Sequence, residues 1–181
     1  MIDSAKRPSF KQKEVKDLRQ IAVNPGSKNL FKDIGAWEQI APRAWPVHRM
    51  RIGESMGVGA IEFSGKNGDA LNYITEAGLI SEAIVNSAEK NGVELSFESK
   101  IENLQIPARF DYQLHDTDFV RLTVNEKLIE TQFLIGCDGA NSMVRKTAGL
   151  KSYSKSYNQR GVVATVEIGK GRIFEMLKHL R

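Results

Sequence analysis

The segment Leu134-Ile-Gly-Cys-Asp-Gly-Ala-Asn-Ser-Met-Val-Arg145 holds the residues of this 181-residue chain whose types and spacing could do chemistry. An apolar run ends at two glycines, Gly136 and Gly139, that flank one carboxylate, Asp138. Glycines let a backbone pass close to a ligand, and the C-terminal end of a strand is where open α/β sheets bind ligands. A carboxylate there can accept hydrogen bonds from ribose hydroxyls or orient a neighbouring arginine. Ser142 is a natural N-cap, and the positive end of the helix it opens favours nearby anions. The same letters also spell an ordinary strand-to-helix turn, since Asp-Gly is common turn chemistry. Cys137, beside an apolar strand, is expected to be a buried small residue rather than a redox centre. His48, His115 and His179 lack metal-ligand spacing, so no metal site is predicted. Trp37 reads as a core anchor, Arg19 as a solvated helix-end charge, and Arg145 is left open between an ion pair on the short helix and a further role. No side chain is nominated as nucleophile, acid or base.

The elements that must position these groups follow from periodicity. Ser27 as N-cap and Gly35 as a left-handed C-cap bound a helix whose Leu30, Phe31 and Ile34 share a face. Val47 to Ile52 and Ala60 to Phe63 alternate as a hairpin, and Ala70 to Thr75 as a further strand. Leu79 to Lys90 keeps the i, i+3, i+4 rhythm and stops at Asn91-Gly92. Val93 to Phe97 alternates as a strand, and Phe119–Val124 with Leu128–Ile135 forms a second hairpin about Asn125-Glu126-Lys127. Phe133-Leu134-Ile135 suits a buried strand, Ser142–Ala148 a short helix ended by Gly149, and Gly161–Ile168 one more strand. The result is an α+β chain with α/β strand–helix units among inserted antiparallel hairpins, half of a nucleotide-binding domain with a sheet-rich appendage.

Composition narrows the function classes. An apolar fraction of 41% excludes wholesale disorder, and one cysteine excludes a disulfide framework or a zinc knuckle. No apolar run reaches the roughly 18–20 residues of a spanning helix. The net charge of +4 is uneven: residues 1–20 carry six Lys/Arg and three Asp/Glu, and residues 146–181 carry eight and two. The middle is mildly acidic and shows no helix-turn-helix or RNA-recognition signature, which argues against nucleic acid as a partner. Basic ends would suit an anionic membrane surface. Met1 to Gln20 lacks a secretory pattern, and Asp3, Glu14 and Asp17 interrupt any transit-peptide pattern.

The Asp138 string resembles the Gly-Ala-Asp-Gly-x-x-Ser-x-Val-Arg motif of the flavoprotein aromatic hydroxylases, the para-hydroxybenzoate hydroxylase group, with Cys137 in place of Ala. Arg19-Gln-Ile-Ala-Val-Asn-Pro-Gly-Ser27 with Ile34-Gly-Ala-Trp37 is similar to a segment of the ubiquinone-biosynthesis monooxygenases. Tyr73-Ile-Thr-Glu76 and Gly161-Val-Val-Ala-Thr165 are similar to two further segments of that family. The resemblance runs from Arg19 to Ile168, leaving 1–18 and 169–181 as divergent ends. It implies a partial FAD-binding domain, with FAD as cofactor and Arg19, Gly136, Asp138 and Gly139 as the residues beside it. It also implies ring hydroxylation of a polyprenylated phenol in ubiquinone synthesis, with NAD(P)H or a ferredoxin system as electron donor. A biosynthetic complex and a peripheral site on the mitochondrial inner membrane are implied in the same way. Reduced flavin and O₂ supply the chemistry, while the protein excludes water and orients the ring.

The family's Gly-x-Gly-x-x-Gly loop and its Gly-Asp-Ala-x-His element are both missing from these residues. Gly68-Asp69-Ala70 copies three letters of the second but is followed by Leu-Asn and sits in an expected turn. The expectation is a truncated form, with central strands left as edges, that alone binds FAD weakly or not at all. The alternative expectation is a non-catalytic module that docks on a biosynthetic complex.

Overall fold

The computed structural model describes residues 1–10, 19–54, 59–107, 119–160 and 175–180. The chain divides into two compact units, one of Met1–Lys6 with Leu95–Arg160 and one of Arg7–Glu94 with Gly161–Arg181.

The larger unit is built on a three-stranded antiparallel sheet, β1 (Gln20–Val23), β5 (Asn72–Glu76) and β2 (Trp45–Val47), in the order β1-β5-β2. Helices α1 (Pro25–Asp33), α2 (Trp37–Ile40) and α3 (Ala77–Lys90) supply the rest of its core. Asn24, not Ser27, caps α1: its side chain accepts the Ser27 amide at 2.8 Å, and Pro25 fills the first turn, where a missing N–H costs nothing. Gly35 ends this stretch at φ 75°, the left-handed conformation expected of it.

The apolar face expected on α1 is only partly used. Leu30 is 58% exposed and Ile34 is exposed, while Phe31 alone of the three packs on the core. Burial passes instead to Val23, Ala36, Ile40, Ile80 and Ala83, with Trp37 and Tyr73 against them. Trp37 is therefore a core anchor, edge-on to Tyr73 at 5.4 Å between ring centroids. Helix α3 forms where the periodicity puts it and ends at Asn91, with Gly92 at φ 81°. Ser87, buried on α3, donates its hydroxyl to the Ile34 carbonyl and so ties the end of α1 to α3.

In the same unit β3 (Arg49–Glu54) pairs antiparallel with β4 (Ala60–Ser64), the expected first hairpin. Strand β9 (Glu175–Leu180) pairs parallel with the other edge of β3. The turn after β4 contains Gly68 and Asp69, so Gly68-Asp69-Ala70 is turn chemistry. The strand expected over Gly161–Ile168 and the side chains of His115 and His179 lie outside the described residues.

The smaller unit carries β6 (Ile101–Gln105), β7 (Val120–Val124) and β8 (Lys127–Thr131) in an antiparallel sheet, and α4 (Met143–Thr147). Asn125 at φ 47° and Glu126 at φ 67° make the tight β7–β8 turn, a primed geometry that matches strand twist. Two strand expectations fail here. Val93–Phe97 gives only an isolated bridge between Ser96 and Ile2, because Glu98 turns left-handed at φ 51° and ends the run. Phe133–Ile135 is not a buried strand: Phe133 is 71% and Ile135 85% exposed. Strand β8 stops at Thr131, whose hydroxyl donates to the Phe133 carbonyl at 2.9 Å and accepts the Phe133 amide at 3.3 Å. A local side-chain bond thereby takes the backbone groups a ladder would need.

Candidate functional site

The Asp138 turn is built by its own side chains. Asp138 Oδ1 accepts the Ser142 hydroxyl at 2.5 Å, and Oδ2 accepts the backbone amides of Met143 at 2.6 Å and Val144 at 3.2 Å. Ser142 in turn accepts the Arg145 amide at 3.0 Å, so the two side chains together cap α4. Arg145 makes no ion pair among the described residues; its guanidinium donates to the Ala140 carbonyl at 2.6 Å and braces the turn from the far side. The Ser142 hydrogen bond, followed by the amides of Val144 and Met143, holds the Asp138 carboxyl below its usual pKa. The side chain is ionised at neutral pH, and the residue is exposed at the surface.

The two glycines serve different ends. Gly139 lies at φ 80° with nothing within 4 Å of where a Cβ would stand. It combines a backbone conformation that favours glycine with open space, the arrangement in which a ligand can reach main chain. At Gly136 a Cβ would lie 2.8 Å from Val144 Cβ, so this glycine makes room for α4 rather than for a ligand. Cys137 is exposed, contrary to expectation, because the run before it is not sheltered by a sheet.

Arg19 belongs to the other unit, so no single compact unit holds all four expected cofactor residues. Its residue is exposed just ahead of β1, and its carbonyl accepts the Ala77 amide at 2.9 Å, one residue beyond the Gln20–Glu76 pair of the β1–β5 ladder. That junction contains a polar pair that sequence reasoning did not single out. Glu76, 5% exposed at the end of β5, receives the Arg43 guanidinium in a two-pronged ion pair, Nε to Oε2 at 3.3 Å and Nη2 to Oε1. This hydrogen bonding raises the Arg43 pKa above its usual value. The available signal was a lone acid closing an otherwise uncharged strand, Asn72-Tyr-Ile-Thr-Glu76, which once buried requires a cation nearby. Its neighbour Thr75 is fully buried, and its hydroxyl finds no partner among the described residues. No group of three or more His, Cys, Asp or Glu among the described residues could hold a metal ion.

An ionised carboxylate thus stands beside accessible main chain at Gly139, whereas Gly136 contributes only by packing. Comparison with known proteins bears on the family. The sequence profile of the FAD binding domain matches residues 10–172. The mitochondrial ubiquinone biosynthesis monooxygenase of Caenorhabditis elegans is 33% identical over 173 residues, which cover 93% of this chain and 37% of that protein. The mouse protein of the same name is 31% identical, covering 91% of this chain and 35% of its own length. The chain thus spans little more than a third of the curated relatives it matches. Among solved structures, Pseudomonas aeruginosa PqsL in complex with 2-aminobenzoylacetate superposes with a TM-score of 0.63 at 13% identity. That match covers 86% of this chain and 40% of PqsL and bears on the fold alone. With its profile matched over residues 10–172 and relatives about a third identical across nine-tenths of its length, the chain belongs to the FAD binding domain family.

Proposed function

We propose that this chain is part of an FAD-dependent monooxygenase that hydroxylates a polyprenylated phenol ring in ubiquinone synthesis. The observation that carries the reading is the Asp138 turn, in which an ionised carboxylate is held rigidly beside open backbone at Gly139. Asp138 would bear on the cofactor through its charge and Gly139 through its main chain, with Gly136 letting α4 pack close; Arg19, on the other unit, would contribute through its own charge. Bound FAD, once reduced, supplies the O₂ chemistry. The protein's part is to orient cofactor and ring and to exclude water. The reductant is NAD(P)H or a ferredoxin system, and the address is mitochondrial, peripheral to the inner membrane. The names of the relatives support the first part of that address. No helix among the described residues is long and apolar enough to cross a membrane.

The test is Asp138→Ala in a chain extended to the full length of its relatives. Losing a charged acceptor beside the cofactor should reduce flavin content and hydroxylation roughly tenfold or more. Unchanged flavin content and turnover would remove Asp138 from the site. A second reading is favoured by the exposed Phe133 and Ile135: a non-catalytic module that docks on a biosynthetic complex. Flavin-free protein that still co-purifies with such a complex would select it.

A further inference from the structure

The Arg43–Glu76 pair is covered by an N-terminal stretch of the same unit. Arg7 donates two hydrogen bonds to Glu89 on α3, at 2.5 and 3.1 Å, and a third to Asn86 at 3.4 Å. Three residues on, the Phe10 amide donates to Glu82 Oε1 at 3.1 Å. Glu89, Asn86 and Glu82 are spaced three and four apart, so they form one stripe along α3 and the strap runs back toward that helix's first turn. There the Phe10 ring lies against the Arg43 guanidinium, 5.3 Å from ring centroid to Cζ. Glu76 engages two of the five Arg43 N–H donors, the Phe10 ring lies beside the guanidinium, and the other three donors have no partner among the described residues. Buried Thr75, next to Glu76, adds a hydroxyl one hydrogen bond short.

A flat ring on a guanidinium, beside spare cationic donors, is how proteins commonly hold a heteroaromatic ring that carries phosphate. We propose that Arg43 forms a stacking site for the planar ring of a nucleotide cofactor, and that Phe10 fills it as a stand-in when the Arg7–Phe10 strap is docked on α3. The site rests on the FAD reading for the identity of its ligand. Strap and ligand cannot both use the face of Arg43, so apparent affinity scales with the fraction of chains in which the strap is released. Arg43 binds directly here, and Arg7, remote from the ring, acts only by holding the strap.

The experiment titrates the intact 181-residue chain with FAD to about 1 mM, the upper end of ordinary ligand affinities. It reads flavin fluorescence together with amide exchange over residues 7–10. Phe10→Ala and, separately, Arg7→Ala should each tighten the FAD dissociation constant about five- to tenfold. FAD should also speed exchange at the Phe10 amide in the unaltered chain. Arg43→Gln in the Phe10→Ala background should abolish the gain. Equal FAD affinity in all chains, with the strap amides still protected, would overturn the strap and leave the FAD reading standing. No uptake of FAD by any of them up to that concentration would overturn the stacking site, while the FAD reading stands or falls with Asp138→Ala in the full-length chain.

Discussion

Asp138 divides its oxygens, one taking the Ser142 hydroxyl and the other the amides of Met143 and Val144, and all three donors favour the charged form. Its folded pKa is therefore lowered, and the linkage has a definite sign. The contribution of Asp138 is complete at any pH above the unfolded carboxyl value of about 3.9, and it is lost as pH falls through the lower folded value. Exchange at the Met143 and Val144 amides should stay slow through neutral and mildly acidic pH and accelerate only on strong acidification. Asp138→Asn should make it fast at every pH; protection that persists in that variant would show that α4 does not depend on the carboxylate. This residue shows what sequence could convey. The Asp-Gly spacing, the Ser142 cap and the Gly139 bend were legible because each is a local rule of backbone chemistry. That Asp138 would point mainly at its own helix was not, because the letters are the same whether a carboxylate faces ligand or cap. Arg145 was undecided for the same reason: nothing in its neighbours distinguishes a carbonyl partner from a carboxylate.

Among the elements, α3 was readable from Leu79 to Lys90 because Leu79, Ile80 and Ala83 are buried at helical spacing, although Ile84 of the same rhythm is exposed and Val85 and Ser87 are buried instead, whereas α1 was readable only in outline. Apolar letters at Leu30 and Ile34 promised burial that the geometry gives to Ile40 instead. Ile40, at 0% exposure between the sheet and α3, should lose about 2–5 kcal/mol on substitution by Ala, while Leu30→Ala should stay within about 0.5 kcal/mol. Urea denaturation of the two variants checks the contrast, and equal losses would place the core elsewhere. Strand β6 escaped notice because Ile-Glu-Asn-Leu-Gln breaks the alternation at a bulge between Ile101 and Asn103. The Phe133–Ile135 stretch misled in the opposite direction. Its composition is that of a sheltered strand, yet Thr131 diverts the backbone before any ladder forms.

At the scale of the whole molecule, the sheets among the described residues are small, three strands each, and their pairing needs contacts distant in sequence that no window of letters discloses. The same scale governs cofactor affinity. Within these 181 residues no Gly-x-Gly-x-x-Gly presents a ring of amides to a diphosphate, and a dinucleotide owes much of its binding to such amides at a helix N-terminus. Fluorescence titration of the chain should therefore give weak FAD binding far from stoichiometric uptake. Tight one-to-one binding would mean that Asp138, Gly139 and Arg43 supply more of the affinity than their geometry suggests.

The bared thiol at Cys137 has a practical corollary. Because it is the only sulfhydryl in the chain, covalent coupling through sulfur can join two molecules but never three. Ageing stocks kept without reductant will show a second band of doubled mass on non-reducing gels and no ladder above it. A single maleimide dye will attach next to the carboxylate on which the proposed chemistry depends.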